Sequence, residues 1–194
     1  MISRIWVYSL TMLGLISLLV SGCKKEEKGT GIQIGDSYQG GIVFYILKPG
    51  DPGYDSKVQH GFIVSPSDQS TGSTWSNGTF IKIGTEGGIG AGHANTSAIV
   101  SVQGKGNYAA RVCYDLVLNG YDDWYLPSSC ELNVLFGFFI HSNFISLGGN
   151  YWSSTEINNP LDTAIFGYID NKSSAGFEPR DKNQEYHVRA IRSF

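Results

Sequence analysis

The sequence predicts an α+β fold, in which a mixed, mostly antiparallel sheet packs against two or three helices joined by long loops. The first observation is a helix signal: Ser128 stands three residues before Glu131, the spacing of a capping box, and an apolar helical face follows. The second is a set of short runs rich in β-branched and aromatic residues, typical of strands. The helical face comprises Leu132, Leu135, Phe136, Phe139 and Ile140, and the strand-like runs cover residues 41–47, 61–64, 151–155, 164–169 and 186–192.

Composition favours a single folded domain preceded by a cleaved N-terminal segment. The chain has 194 residues, of which 41% are hydrophobic and 16% charged, values compatible with a packed core. The formal net charge is -3, so the chain lacks the basic footprint of a nucleic-acid-binding protein. We therefore expect no nucleic acid among its partners.

Residues 1–22 are predicted to be a lipoprotein signal peptide. Arg4 supplies a positive start, residues 5–20 carry no charge, and Val20-Ser21-Gly22-Cys23 resembles a bacterial lipobox. The alternative is an uncleaved membrane anchor, but the short apolar run and the small residues after it favour cleavage. Acylation of Cys23 would then make a membrane the partner, with the protein in the cell envelope, on the outer membrane and with surface exposure left open.

Residues 23–33 are charged and glycine-containing, which is typical of a flexible tether, and residues 34–194 form the predicted domain. Residues 65–94 are interpreted as a long loop because apolar anchors are few. Its glycine-rich end, residues 87–92, is either an amide nest for an anion or a plain permissive turn. A short helix is predicted over residues 96–103, and Asn107 is a candidate cap for the next one.

Two features separate the central helix from the helical pattern before it. Asn119-Gly120 ends the preceding helical pattern, and Pro127 prevents any helix from running through that point. Residues 170–185 are interpreted as a polar loop, followed by a closing strand over residues 186–192.

Three ordered motifs carry a resemblance to a known family. They are Trp124-Tyr125-Leu126-Pro127 with Glu131-Leu132, then Tyr151-Trp152-Ser153-Ser154-Thr155-Glu156, then Tyr186-His187-Val188-Arg189-Ala190-Ile191-Arg192. Together they resemble the Lcl C-terminal-like domain family, over roughly residues 34–194. The resemblance implies a C-type-lectin-like fold and a cell-surface role in glycan binding, without a known catalytic activity. We expect the strand near Ile42 to pair with the strand near Val188.

The second motif is the candidate ligand site. Trp152, Ser153, Ser154, Glu156 and Asn158 combine an aromatic ring with hydroxyl, carboxylate and amide groups, the combination that binds sugars. The alternative is a core tryptophan whose neighbouring hydroxyls bond to nearby backbone.

Cysteines and acids offer weaker signals. Cys113 and Cys130 either form a disulfide, which an exported protein permits, or remain buried thiols. Asp122-Asp123 either holds calcium or forms a solvated turn. Since no histidine or carboxylate pair has catalytic or ligand spacing, we expect no cofactor, no metal and no enzyme.

The sequence therefore predicts a surface-anchored binding module for a glycan or matrix ligand. One alternative is a structural envelope lipoprotein without a small ligand. The other is an enzyme on a scaffold like that of the formylglycine-generating oxidases, whose cysteine or copper chemistry the sequence does not reproduce. A likeness of fold alone does not decide between these classes.

Overall fold

The computed structural model describes residues 31–78, 80–142, 147–157, 162–170 and 174–194, and residues 31–194 form one unit. The predictions for residues 1–22, Cys23 and Asn158 lie outside the described residues. The strands are β1 Ser37–Tyr38, β2 Gly41–Ile46, β3 Gly61–Val64, β4 Ser70–Ser73, β5 Gly149–Glu156, β6 Thr163–Asp170, β7 Ser174–Asp181, β8 Tyr186–Val188 and β9 Ile191–Ser193. The helices are α1 Gly92–Gln103, α2 Ala109–Tyr114 and α3 Ser129–His141. The predicted α+β class is confirmed.

The strands form two sheets with mostly antiparallel pairing. The first has the order β1-β2-β3-β9 and the second the order β4-β8-β5-β6-β7. The pair β5–β8 is parallel, with Tyr151 opposite His187. The remaining strand pairs in the described part of the chain are antiparallel.

The predicted pairing of the strand near Ile42 with the strand near Val188 is wrong. β3 lies between β2 and the last strand, with Val64 opposite both Ile42 and Ile191. Val188 belongs to the other sheet, where it pairs with Ser70. The predicted closing strand is divided into β8 and β9 at Ala190, because the Ala190 backbone forms no strand pair there. Its carbonyl accepts from the Ser65 amide, and its amide donates to the Gln69 side chain.

Two predicted loops contain strands. Residues 65–94 include β4, and α1 begins at Gly92, earlier than the predicted helix. Residues 170–185 include the edge strand β7, which is poor in β-branched residues. β7 forms because β6 supplies a complete antiparallel partner, with Phe166 opposite Glu178, so tertiary pairing overrides weak local preference. Its Pro179 is tolerated on an edge strand.

The central helix follows its sequence signals. The Ser128 hydroxyl accepts from the Glu131 amide at 3.2 Å, and the Glu131 carboxylate accepts from the Ser128 amide at 2.7 Å, so the capping box is confirmed. Leu132, Leu135 and Phe136 are fully buried. The predicted cap of α2 is wrong: Tyr108, not Asn107, is the capping residue, and it makes no side-chain cap bond.

Two apolar clusters fill the interior. One gathers α1 and α2 around Trp75 and Trp152, and the other packs α3 against Phe44 and Phe62. Trp124 is 2% exposed and belongs to the first cluster. No helix among the described residues is long and apolar enough to cross a membrane.

Candidate functional site

The predicted ligand residues of β5 lie in the interior. The side chains of Trp152, Ser153 and Ser154 have no exposed area, and Glu156 is 6% exposed. The Trp152 indole donates to the Ser73 carbonyl at 2.8 Å, and the Ser153 hydroxyl donates to the Ile165 carbonyl at 2.7 Å. These residues therefore form an internal hydrogen-bonded layer and not a ligand surface, because each of their polar groups already has a protein partner.

Glu156 connects three segments. One carboxylate oxygen accepts from the amides of Ile83 at 2.8 Å and Gly84 at 3.0 Å. The other accepts from the ammonium of Lys182, a fully buried side chain that also lies 4.6 Å from the centre of the Trp75 ring. Glu156 thus fixes the loop before α1 against the end of β7, and it offers no free oxygen to a ligand.

The glycine-rich segment before α1 forms an amide nest for an internal anion. The Gly90 amide donates to the Glu131 carboxylate at 2.9 Å, and the Gly92 amide also bonds to it. Burial raises the pKa of Glu131, and the backbone amides act in the opposite direction. A Cβ at Gly92 would collide with this carboxylate, so the close approach requires glycine. The nest is therefore occupied by the protein's own side chain.

Asp123 is engaged by the last motif. Its two oxygens accept from Arg192 at 2.6 and 2.7 Å, and the guanidinium lies 4.1 Å from the centre of the Tyr121 ring. The hydrogen bonds from Arg192 are the largest cause that lowers the pKa of Asp123. In the described residues, no group of three or more histidine, cysteine or acidic side chains could hold a metal. The geometry assigns Asp123 to an ion pair that ties the central motif to β9.

Of the two alternatives for Cys113 and Cys130, the disulfide is not formed. Cys113 is fully buried on α2, whereas Cys130 is exposed near the start of α3, and both are free thiols. Burial raises the pKa of Cys113, so its thiol is held in the neutral form. The alternative, two buried free thiols, is correct for Cys113 but not for the exposed Cys130.

A second polar cluster holds the crossing between the two sheets. Asp68 accepts from Arg189 at 2.6 Å, from the His187 ring at 3.0 Å and from the Tyr151 hydroxyl at 3.2 Å. Arg189 also donates to the Ser65 carbonyl at 3.0 Å. These contacts surround the point where the chain passes from β8 to β9, so the charged residues of the last motif stabilise the fold.

The exposed candidate site lies on one face of the β5–β6–β7 strands. Asn150, Tyr168 and Gly176 stand opposite one another across the three strands. The Tyr168 ring lies against Gly176, where a Cβ would collide with the ring and its hydroxyl. Tyr168 is 37% exposed. The Tyr168 ring therefore packs over a position where only glycine leaves room for it, and more than a third of the residue remains exposed.

Aromatic contacts continue from Tyr168 along the same face. The Phe166 ring centre is 6.2 Å from that of Tyr168 and 4.7 Å from that of Tyr186. Arg180 lies 5.4 Å from the Phe166 ring centre and forms a 2.6 Å ion pair with Glu178. We name this surface the outer aromatic face and define it by Asn150, Tyr168, Glu178, Arg180 and Tyr186; Phe166, which is 4% exposed, belongs to the core beside it.

Sequence reasoning missed this face although one signal was present. Phe166 and Tyr168 alternate with smaller residues at the period of a strand, which places both rings on one side of β6. Glu178 and Arg180 share that side of β7, but β7 itself was interpreted as loop. Because β7 was not recognised as a strand, the sequence did not place the Glu178–Arg180 ion pair beside the aromatic rings of β6.

No family model matches the chain, and a search of curated proteins found no matching protein.

Proposed function

We propose that this protein is a binding module of the C-type-lectin-like class, related to the Lcl C-terminal-like domains, which recognises a glycan or matrix ligand at the outer aromatic face. The single observation that carries the proposal is the partly exposed Tyr168 ring packed over Gly176 on the face that also carries the exposed Arg180–Glu178 pair. As part of the same proposal, acylated Cys23 anchors the module to the outer membrane.

The chemistry of the outer aromatic face suits a sugar. A tyrosine ring face packs against the apolar face of a pyranose, while carboxylate, guanidinium and amide groups bond to hydroxyls. The side chains of Arg180 and Glu178 are 48% and 44% exposed. Exposed ion pairs are weak, so both groups can exchange a bond to each other for bonds to a ligand.

A structural envelope lipoprotein is the second candidate. It is favoured because one charged side chain from each of the three motifs bonds within the protein: Glu131, Glu156 and Arg192. On this view, the motifs describe a scaffold, and the outer aromatic face is ordinary surface.

A glycan array probed with the purified full chain and with two variants tests the proposal. Tyr168→Ala should weaken binding to the recognised glycan about tenfold or more, the effect of losing an aromatic stacking partner. Tyr114→Ala is the matched control, because Tyr114 is 48% exposed on α2 and also lies beside an arginine–aspartate pair.

Thermal melting should show that both variants remain folded. Equal binding by the two variants would remove the outer aromatic face from the proposal. A folded chain that binds no glycan across the array would favour the structural lipoprotein.

A further inference from the structure

A second surface, separate from the outer aromatic face, is an open groove. A groove of about 620 Å³ runs between α3 and β2. That volume lies within the roughly 300–1,000 Å³ range of small-molecule sites. We name it the α3–β2 groove; Phe44, Tyr45, Lys48, Val134, Phe138 and His141 are among its lining residues. It shares no residue with the outer aromatic face.

The floor of the α3–β2 groove is apolar and open. Val134 and Phe138 are half-buried and contribute carbon surface, Phe44 is only 2% exposed, and Ile34 is 54% exposed. Gly137 lies in the groove wall on α3, and a Cβ built there would meet no atom within 4 Å. The absence of a side chain at Gly137 thus keeps part of the groove unfilled, although glycine in a helix interior costs stability.

The polar residues of the groove favour an anion. Lys48 and His141 are among its lining residues, and none of the described residues that line it is acidic, in a chain whose net charge is -3. The nearby Asp51 carboxylate already accepts from the Tyr45 hydroxyl and from the Lys48 amide, each at 2.8 Å. Burial, followed by that hydrogen bond, raises the pKa of Tyr45 to about 12, so this hydroxyl stays neutral.

An apolar trough with the Lys48 ammonium beside it and no acidic side chain among its described lining residues complements one kind of small molecule, a chain of methylenes that ends in a negative charge. We propose that the α3–β2 groove binds a fatty acid, whose alkyl chain lies over Val134 and Gly137 and whose carboxylate pairs with Lys48. The Lys48 ammonium lies 5.3 Å from the centre of the Tyr45 ring, which holds the cation over the groove wall.

Calorimetric titration of the full chain with laurate, below the concentration at which it forms micelles, tests the proposal. Dodecanol serves as the uncharged probe of equal chain length. We expect saturable binding of one laurate. Gly137→Trp should weaken both probes at least about tenfold, since the indole occupies the trough. Lys48→Gln should weaken laurate about tenfold and leave dodecanol unchanged, since only laurate loses a charge-assisted bond.

Two controls make the outcomes decisive. Lys105→Gln removes an exposed lysine outside the groove and should leave laurate binding unchanged. Thermal melting should show Gly137→Trp folded, because the position offers open space. Laurate binding that is absent in the unsubstituted chain, or equal in the folded Gly137→Trp variant, would overturn the proposal. Equal weakening of laurate and dodecanol by Lys48→Gln would overturn the assignment of the carboxylate.

Discussion

Two ion pairs at the same end of β7 differ almost completely in exposure. Lys182 and Glu156 have side chains that are 0% and 1% exposed, whereas Arg180 and Glu178 are 48% and 44% exposed. Both pairs join a carboxylate to a cation, and the two cations are two residues apart in the sequence. One pair connects the loop before α1 to the strands, and the other lies beside the rings of the outer aromatic face.

The difference shows that burial, not residue type, separates scaffold from candidate site in this protein. Removing charges from water is costly, so a buried pair persists only when every group finds a partner, as Glu156 does with Ile83, Gly84 and Lys182. An exposed pair contributes little to stability and remains available to a ligand. Three substitutions test this contrast.

The largest effect is expected for Lys182→Met. The variant leaves the Glu156 carboxylate buried without its cation, so the free energy of unfolding should fall by about 3–5 kcal/mol. Urea denaturation measures it. The double variant Lys182→Met/Glu156→Gln should regain part of the loss, because the uncompensated charge is gone. A loss below about 1 kcal/mol in the single variant would place Lys182 in a surface pair after all.

An intermediate effect is expected for Asp123→Asn, since Asp123 is 46% exposed while Arg192 is 7% exposed. The variant should lose about 1 kcal/mol at pH 7, the scale of a partly exposed charged bond. The pKa of Asp123 is lower in the folded protein than its usual value of 3.8. Its contribution is therefore present above pH 3.8 and is lost as pH falls through the lower folded pKa.

Urea denaturation at several pH values should show the difference between Asp123→Asn and the unsubstituted protein closing below pH 3.8. Asp122→Asn, at the exposed neighbouring position, is the matched control and should change stability by less than about 0.5 kcal/mol. A difference that persists unchanged into strong acid would show that the ion pair with Arg192 is not its origin.

The smallest effect is expected for Arg180→Gln. Removing an exposed partner of Glu178 should change the free energy of unfolding by no more than about 0.5 kcal/mol in urea denaturation. If the variant instead lost as much stability as Lys182→Met, the contrast between the two pairs would fail, and the outer aromatic face would belong to the scaffold.

The sequence correctly predicted the structural features that depend on residues close together in the chain. The capping box of Ser128 and Glu131, and the apolar stripe through Leu135, are local patterns within one helix, and both are confirmed. The strands at residues 41–47, 61–64 and 164–169 were also recognised, because β-branched and aromatic residues mark them directly.

Sequence failed where the deciding partner is distant. Ser153, Ser154 and Glu156 are polar, so the sequence left a ligand surface and an internal strand both open. The choice depends on partners from distant segments, such as the loop at Ile83 and the end of β7. β7 was missed for the same reason, since its conformation depends on β6. The amide nest was recognised as an option, but its anion, Glu131, lies outside the glycine-rich segment.

The position of β3 between β2 and β9 has a consequence for how the chain acquires its structure. β2 pairs with β3, which follows it directly in the sequence after residues 47–60, but the other edge of β3 pairs with β9 at the end of the chain. There His60 contacts the Phe194 carbonyl across 134 residues of sequence. Closing so long a loop slows folding, as in other topologies dominated by distant contacts. Until β9 arrives, β3 presents an unpaired apolar edge, the kind of surface through which incompletely folded chains aggregate.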